Sequence, residues 1–201
     1  MRGLIFPRIL VTAVVVAAVI VGLSSLGVSA ASTHGTAAAA KPPKTVRAGR
    51  VTRQPHTLAP GTAVRPAAVV GQRVFTDGKH GFALASLHSA DYPVATSDRG
   101  KTWRTDGPAL HLDAAQGPLA VAFVGAASRK TLFAWGGGNV IDTTSDGGKH
   151  WYRALFQGSP VAVAPDLEGH LLAFVASGSG PPSPYLSRDG GRTWRYQRAV
   201  S

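Results

Sequence analysis

The chain has 201 residues, with 24 glycines, 14 prolines and no cysteine. That length holds one domain, or a small domain with appendages, and the lack of thiols excludes a disulfide framework and any thiolate metal site. The formal net charge of +11 suggests nucleic acid until it is divided along the chain: residues 1–65 carry eight Lys/Arg and no acid, so the remainder holds only +3. Most of the excess charge therefore belongs to a solvated N-terminal stretch, and no nucleic-acid partner is expected.

Arg2 and Arg8 precede an uncharged apolar run, Ile9 to Leu26, which is followed by Val28-Ser29-Ala30. A basic start, an apolar middle and a small-residue end have the order of a secretory signal cut after Ala30. The run of 18 residues also approaches the minimum for crossing a bilayer. Two readings stay open for residues 1–30: a cleaved signal peptide, or an anchor helix that holds the chain in the membrane through residues 9–26. Both place the remainder outside the cytoplasm, secreted or anchored at the cell surface.

Residues 31–66 run through Ala, Pro, Thr and one-signed charge, including Lys41, Lys44, Arg47, Arg50 and Arg53. So little to bury predicts a disordered basic linker, with a salt-sensitive attraction for anionic surfaces. Val51, Leu58 and Val64 are the residues there able to add a strand to the domain beyond the linker.

From Ala67 the pattern changes to short apolar runs separated by Gly-, Asp- and Pro-bearing turns, with no long helical period. Strands are predicted at residues 69–75, 81–87, 92–96 and 102–105, again at 119–124, 131–135, 140–144 and 150–156, and a third time at 161–164, 170–176, 185–187 and 193–199. Between the third and fourth strand of each set lies the same sequence frame. Its copies are Thr96-Ser97-Asp98-Arg99-Gly100-Lys101-Thr102-Trp103, Thr144-Ser145-Asp146-Gly147-Gly148-Lys149-His150-Trp151 and Ser187-Arg188-Asp189-Gly190-Gly191-Arg192-Thr193-Trp194. The aspartates are 48 and 43 residues apart, and four short strands per period of that size predict propeller blades.

Each frame has the chemistry of a locked hairpin. The Asp carboxylate and the Ser/Thr hydroxyl accept from turn amides, Gly100, Gly148 and Gly191 tolerate positive φ, and Trp103, Trp151 and Trp194 lay a ring over the sheet. The structural set is therefore Thr96, Asp98, Gly100, Thr102 and Trp103; Thr144, Asp146, Gly148 and Trp151; and Ser187, Asp189, Gly191, Thr193 and Trp194.

These copies resemble the Asp-box, or bacterial neuraminidase, repeat, found in sialidases, sortilin-type receptor domains and propellers similar to the photosystem II stability and assembly factor. The third copy matches fully, the first begins with Thr96, and the second has Thr144 and His150 in place of Ser and Thr. The resemblance covers about residues 67–201 and is most similar to the last group. It implies an all-β, incomplete β-propeller of about three four-stranded blades in which the motif sits on the periphery, away from a ligand-binding channel.

Catalytic candidates are thin. A sialidase needs converging arginines, a tyrosine nucleophile with an acidic partner and a second acid; Tyr185 with Glu168 is the pair that suggests itself, and Val64-Arg65-Pro66 lacks the middle residue of the family's Arg-aliphatic-Pro signature. Asp166-Leu167-Glu168-Gly169 reads as a turn, Gly136-Gly137-Gly138 lacks the lysine of a phosphate loop, and seven scattered histidines give no metal spacing. No catalytic, metal-binding or cofactor-binding residue and no cofactor is predicted. The favoured function is an extracytoplasmic, non-enzymatic binding or assembly module, with a sialidase-like exo-glycosidase and a membrane-anchored structural surface protein as alternatives. Three blades fall short of the four to eight of closed propellers, which predicts completion by a protein partner or by head-to-tail self-association, with a shortened arc as the third possibility.

Overall fold

The computed structural model describes residues 41–87, 90–110 and 123–198. The expected signal or anchor, residues 1–30, lies outside them, as do residues 31–40 of the expected linker. The described chain is β throughout apart from a single 3-10 turn, Pro66–Ala68.

The first meander contains β4 (Val69–Phe75), β5 (Gly81–Leu87), β6 (Ala90–Thr96) and β7 (Trp103–Thr105). The second contains β8 (Phe123–Ala126), β9 (Leu132–Trp135), β10 (Val140–Thr144) and β11 (Tyr152–Leu155), and the third β12 (Ser159–Pro165), β13 (Leu171–Ala176), β14 (Ser183–Ser187) and β15 (Thr193–Tyr196). All neighbours pair antiparallel. We call these sheets blades 1, 2 and 3, since they stack face to face in a propeller-like arrangement. Alternation explains the stacking: on β5, Phe82 and Leu84 face blade 2 while Ala83 and Ala85 face the other way, and all four are buried.

Each sheet has five strands where four are predicted, because residues 45–64 are not a disordered linker. β1 (Thr45–Arg47), β2 (Gly49–Arg50) and β3 (Ala63–Val64) add an outer strand to blades 3, 2 and 1 respectively, so the N-terminal segment crosses the blades in reverse order. Val46 pairs with Trp194, Arg50 with Tyr152 and Val64 with Trp103. Further amides fasten the strap: Ala48 N–H donates to the Arg192 carbonyl at 2.9 Å, Val51 N–H to Trp151 at 2.8 Å and Gly61 N–H to Thr105 at 2.7 Å. Backbone pairing needs no apolar sequence, which is how so polar a segment becomes ordered. Of the three residues able to join the fold, Val64 lies in β3, while Val51 and Leu58 pack beside strap-covered clusters.

The strands β4, β8 and β12 end the three sheets on the side away from the strap. β12 carries Pro160 and Pro165, and β4 is broken by a register shift between Val70 and Val74. Prolines and bulges of this kind deter pairing with another chain.

Two aromatic cores join the blades. Between blades 1 and 2, Phe82 stacks on Trp151 with ring centroids 5.8 Å apart, beside Leu84, Leu110, Val124 and Leu132. Between blades 2 and 3, Phe156 meets Tyr185 and Trp194 edge-on at 5.2 and 5.8 Å, within a cluster holding Phe133, Trp135 and Ile141.

Candidate interaction surface

The three repeated turns share one hydrogen-bond pattern. In blade 1, Thr96 Oγ1 donates to Asp98 Oδ1 at 2.8 Å and accepts from Gly100 N–H at 3.0 Å; Thr102 donates its amide and hydroxyl to the two Asp98 oxygens at 2.9 and 2.6 Å. In blade 2, Thr144, Asp146 and Gly148 repeat this, and the His150 ring takes the place of the threonine hydroxyl at 2.6 Å from Asp146. In blade 3, Ser187 Oγ donates to Asp189 at 2.9 Å and accepts from Gly191 N–H at 2.8 Å, while Thr193 N–H donates to Asp189 at 2.8 Å. The Thr102 hydroxyl and amide hold the Asp98 carboxyl at about 2. Burial opposes ionisation at Asp146 and Asp189, yet the hydrogen bonds from His150 and from Thr193 and Ser187 outweigh it and leave both below the usual carboxylate range.

The turns of blades 2 and 3 also close the joints between blades, a role the sequence does not announce. Gly148 lies against Asp106 of blade 1 and Gly191 against Thr143 of blade 2, so closely that a methyl group at either position would collide. Trp103 and Trp194 donate their indole N–H to Gly100 and Gly191 of their own turns at 3.1 and 3.0 Å, whereas Trp151 donates across the joint to the Asp106 carbonyl at 3.0 Å. Asp106 itself borders a cleft of about 200 Å³ with His80 and Arg129. Burial, and secondarily the charge of Asp146, push its carboxyl up to about 7.

The catalytic candidates do not assemble. Tyr185 is buried in the joint between blades 2 and 3 and donates its hydroxyl to the Pro43 carbonyl at 3.2 Å, while Glu168 sits at the β12–β13 tip, 3.3 Å from the His170 ring. Asp166, Glu168 and His170 cluster there, but Asp166 accepts the Glu168 and His170 amides and serves as a turn cap. Gly136-Gly137-Gly138 connects β9 to β10. A residue without a sequence signal is Asp142: fully buried in β10, it takes a bidentate pair from Arg153 at 2.8 and 2.7 Å.

No family model matches the chain, and no curated protein does. Among solved structures, YCF48 from Cyanidioschyzon merolae is similar at 19% identity with a TM-score of 0.43, over 75% of this chain and 40% of that one. The chain thus spans about two fifths of the length of that structure.

The two ends of the stack are unlike. On blade 1, the face turned away from blade 2 carries Ala83, Ala85, Val94 and Trp103, and residues of the strap close over it: Val64 and Leu58 pack there, and Leu58 N–H donates to the Tyr92 hydroxyl at 3.3 Å. On blade 3 the outer face carries no buried cluster among the described residues. Its cross-strand rows are Ala164, Leu172, Leu186 and Arg195, and Ala162, Phe174 and Pro184. Leu172 and Phe174 occupy the positions that Phe82 and Leu84 hold on blade 1 and Phe133 and Trp135 on blade 2, counted from the residue opposite the motif Ser or Thr. Those earlier pairs are 8% exposed or less, buried in the joint to the next blade, whereas Phe174 is 38% exposed. Beside it a groove of about 480 Å³ is lined by Leu186, Arg188, Asp189, Thr193, Arg195 and Gln197.

Proposed function

We propose that this chain is a non-enzymatic binding and assembly module that works through the outer face of blade 3. The observation that carries the reading is the Leu172–Phe174 pair, which holds the positions that dock blades 1 and 2 onto their successors but is only half-buried at Leu172 and exposed at Phe174. An exposed apolar sheet face with a polar and charged rim is the composition of a protein-binding site. Its setting is extracytoplasmic in this proposal, a reading that rests on the order of charge, apolar run and small residues over residues 2–30. The repeated turns belong to the Asp-box class in the same proposal, supported by their shared frame, and serve as locks.

Site-specific photocross-linking in the producing cells tests this. A photoreactive residue at Leu186 is expected to yield protein adducts that the same residue at Gln72, exposed on the inner strand β4, does not. Equal labelling at both positions, or no adduct at Leu186, defeats the proposal. The exo-glycosidase alternative predicts fluorophore release from an aryl sialoside; the assembly reading predicts none, in keeping with the separate engagements of Tyr185 and Glu168.

A further inference from the structure

Resting on that reading, we infer that the occupant of the blade 3 face is a second copy of the same chain, docked blade 3 to blade 3 about a two-fold axis parallel to the strands.

Three observations support this occupant. The blade 3 face is the third instance of a surface whose first two instances are sheet-to-sheet joints, so its shape is that of a face made to receive a twisted sheet at close range. The complementary end of the stack is closed, because Leu58, Ala68 and Val64 already occupy the face of blade 1. Head-to-tail growth through blade 1 would have to displace that strap, whereas a contact using blade 3 of both copies needs no rearrangement and stops at two. Two-fold contacts of one patch with itself are also the commonest way in which soluble chains pair.

The third observation is charge. Acids stand at one side of the sheet, where Asp166 and Glu168 form the tip between β12 and β13; arginines stand at the other, where Arg195 lies on β15 and Arg188 opens the β14–β15 turn. Both sides lie at the same end of the strands, since Leu171 pairs with Ser187 and Pro165 with Leu171. A two-fold axis along the strands exchanges the inner and outer edges and leaves the ends in place. It therefore sets Asp166 and Glu168 of one copy opposite Arg188 and Arg195 of the other, twice per dimer, while Phe174, Leu172, Leu186 and Pro184 of both copies meet in the middle. An axis perpendicular to the strands, along the sheet, would instead carry the charged ends of the two copies to opposite ends of the contact, where neither set meets a partner of opposite sign, and is disfavoured.

The test uses the full chain. Sedimentation equilibrium across a micromolar concentration series is expected to show a monomer–dimer equilibrium whose dissociation constant rises roughly tenfold or more in Phe174→Asp, the usual scale for losing a central anchor. Glu168→Arg and Arg195→Glu should each weaken the dimer, and the two together in one chain should restore it, because every swapped charge then meets its swapped partner. Because the chain has no native cysteine, a single Leu186→Cys near the axis should bridge two copies under mild oxidation, and Gln72→Cys should not. A chain that stays monomeric at every concentration, a dimer indifferent to Phe174→Asp, or a dimer that forms without the Leu186→Cys bridge overturns the inference; the last result is what head-to-tail pairing would give. The photocross-links separate this failure from that of the assembly reading. Adducts whose mass is not a multiple of the chain overturn the second copy and leave the assembly module standing, whereas the absence of adducts removes both.

Discussion

Replacing Asp106 by asparagine isolates a carboxyl that burial holds protonated well above the ordinary range and turns it into a measure of how tightly blades 1 and 2 join. Asp146 beside it is held below the usual carboxylate range by the hydrogen bonds of its own turn, so of these two carboxyls Asp106 is the one displaced upward. In the unfolded chain it ionises near 3.8; in the fold it keeps its proton until about 7. Between those values the folded state binds more protons than the unfolded one, so stability falls as pH rises through the window and levels off above it. Each unit of pKa difference corresponds to about 1.4 kcal/mol, which sets a ceiling of about 4 kcal/mol; partial access to water at the cleft lowers the expectation to about 2 kcal/mol. Asparagine keeps the shape and carries no charge. Asp106→Asn should match the wild type near pH 4 and exceed it by about 2 kcal/mol at pH 8. Urea titrations followed by the fluorescence of the buried Trp103, Trp151 and Trp194 provide the readout. The turn aspartates, with their lowered values, lose their stabilisation only as pH falls below the ordinary carboxylate range and contribute equally to both proteins, so the difference curve belongs to Asp106. Parallel stability profiles for the two proteins between pH 4 and 8 would refute the burial of a protonated carboxyl in this joint.

Asp189→Ala removes the acceptor of the Thr193 amide and the Ser187 hydroxyl and should lower stability by about 1–2 kcal/mol; an unshifted urea midpoint would show that the turn does not depend on its carboxylate. Gly191→Ala should be worse, by roughly 2–4 kcal/mol, because φ is 91° and the methyl group strikes Thr143 of the neighbouring blade. Gly147→Ala also has positive φ, at 71°, but only an ordinary contact at 3.6 Å, so its melting temperature should fall distinctly less. Val46→Asp places a carboxylate in the joint between blades 2 and 3, where Val46 is 7% exposed; trypsin should then cut at Arg47 and Arg50, and protection of those bonds equal to the wild type would deny that β1 holds the strap.

How much of this was legible in the sequence depends on which side chains announce themselves. The strands of each meander follow from alternation and turn residues, and the observed elements depart from expectation mainly at their ends, as where Thr193–Tyr196 stops short of Ala199. The strap was not legible. β1, β2 and β3 are two or three residues long, too short for a pattern, and their attachment runs through amides and carbonyls that every sequence possesses. Asp142 falls inside a predicted strand, but only the register that sets it opposite Arg153 reveals why a carboxylate tolerates full burial. The motif residues Thr96, Asp98, Thr144, Asp146, Ser187 and Asp189 make the turn bonds their chemistry suggests. That Gly148 and Gly191 also fit a neighbouring blade could not be read from a pattern that each blade repeats by itself. Leu172 and Phe174 look like any core pair in the sequence, and their exposure emerges only once the stack is assembled.

The strap changes what kind of folding unit this is. In an array of repeats each unit touches its neighbours alone, so ends can fray and order can spread from any point. Here Thr45 lies opposite Arg195, and the same short segment goes on to Tyr152 and then to Trp103. The first strand therefore waits for residues made 150 positions later, and the chain gives up local contacts for distant ones, a choice that slows folding. In return, no blade can lose its outer edge without loosening a segment the other two share, and three weakly independent sheets acquire a common fate.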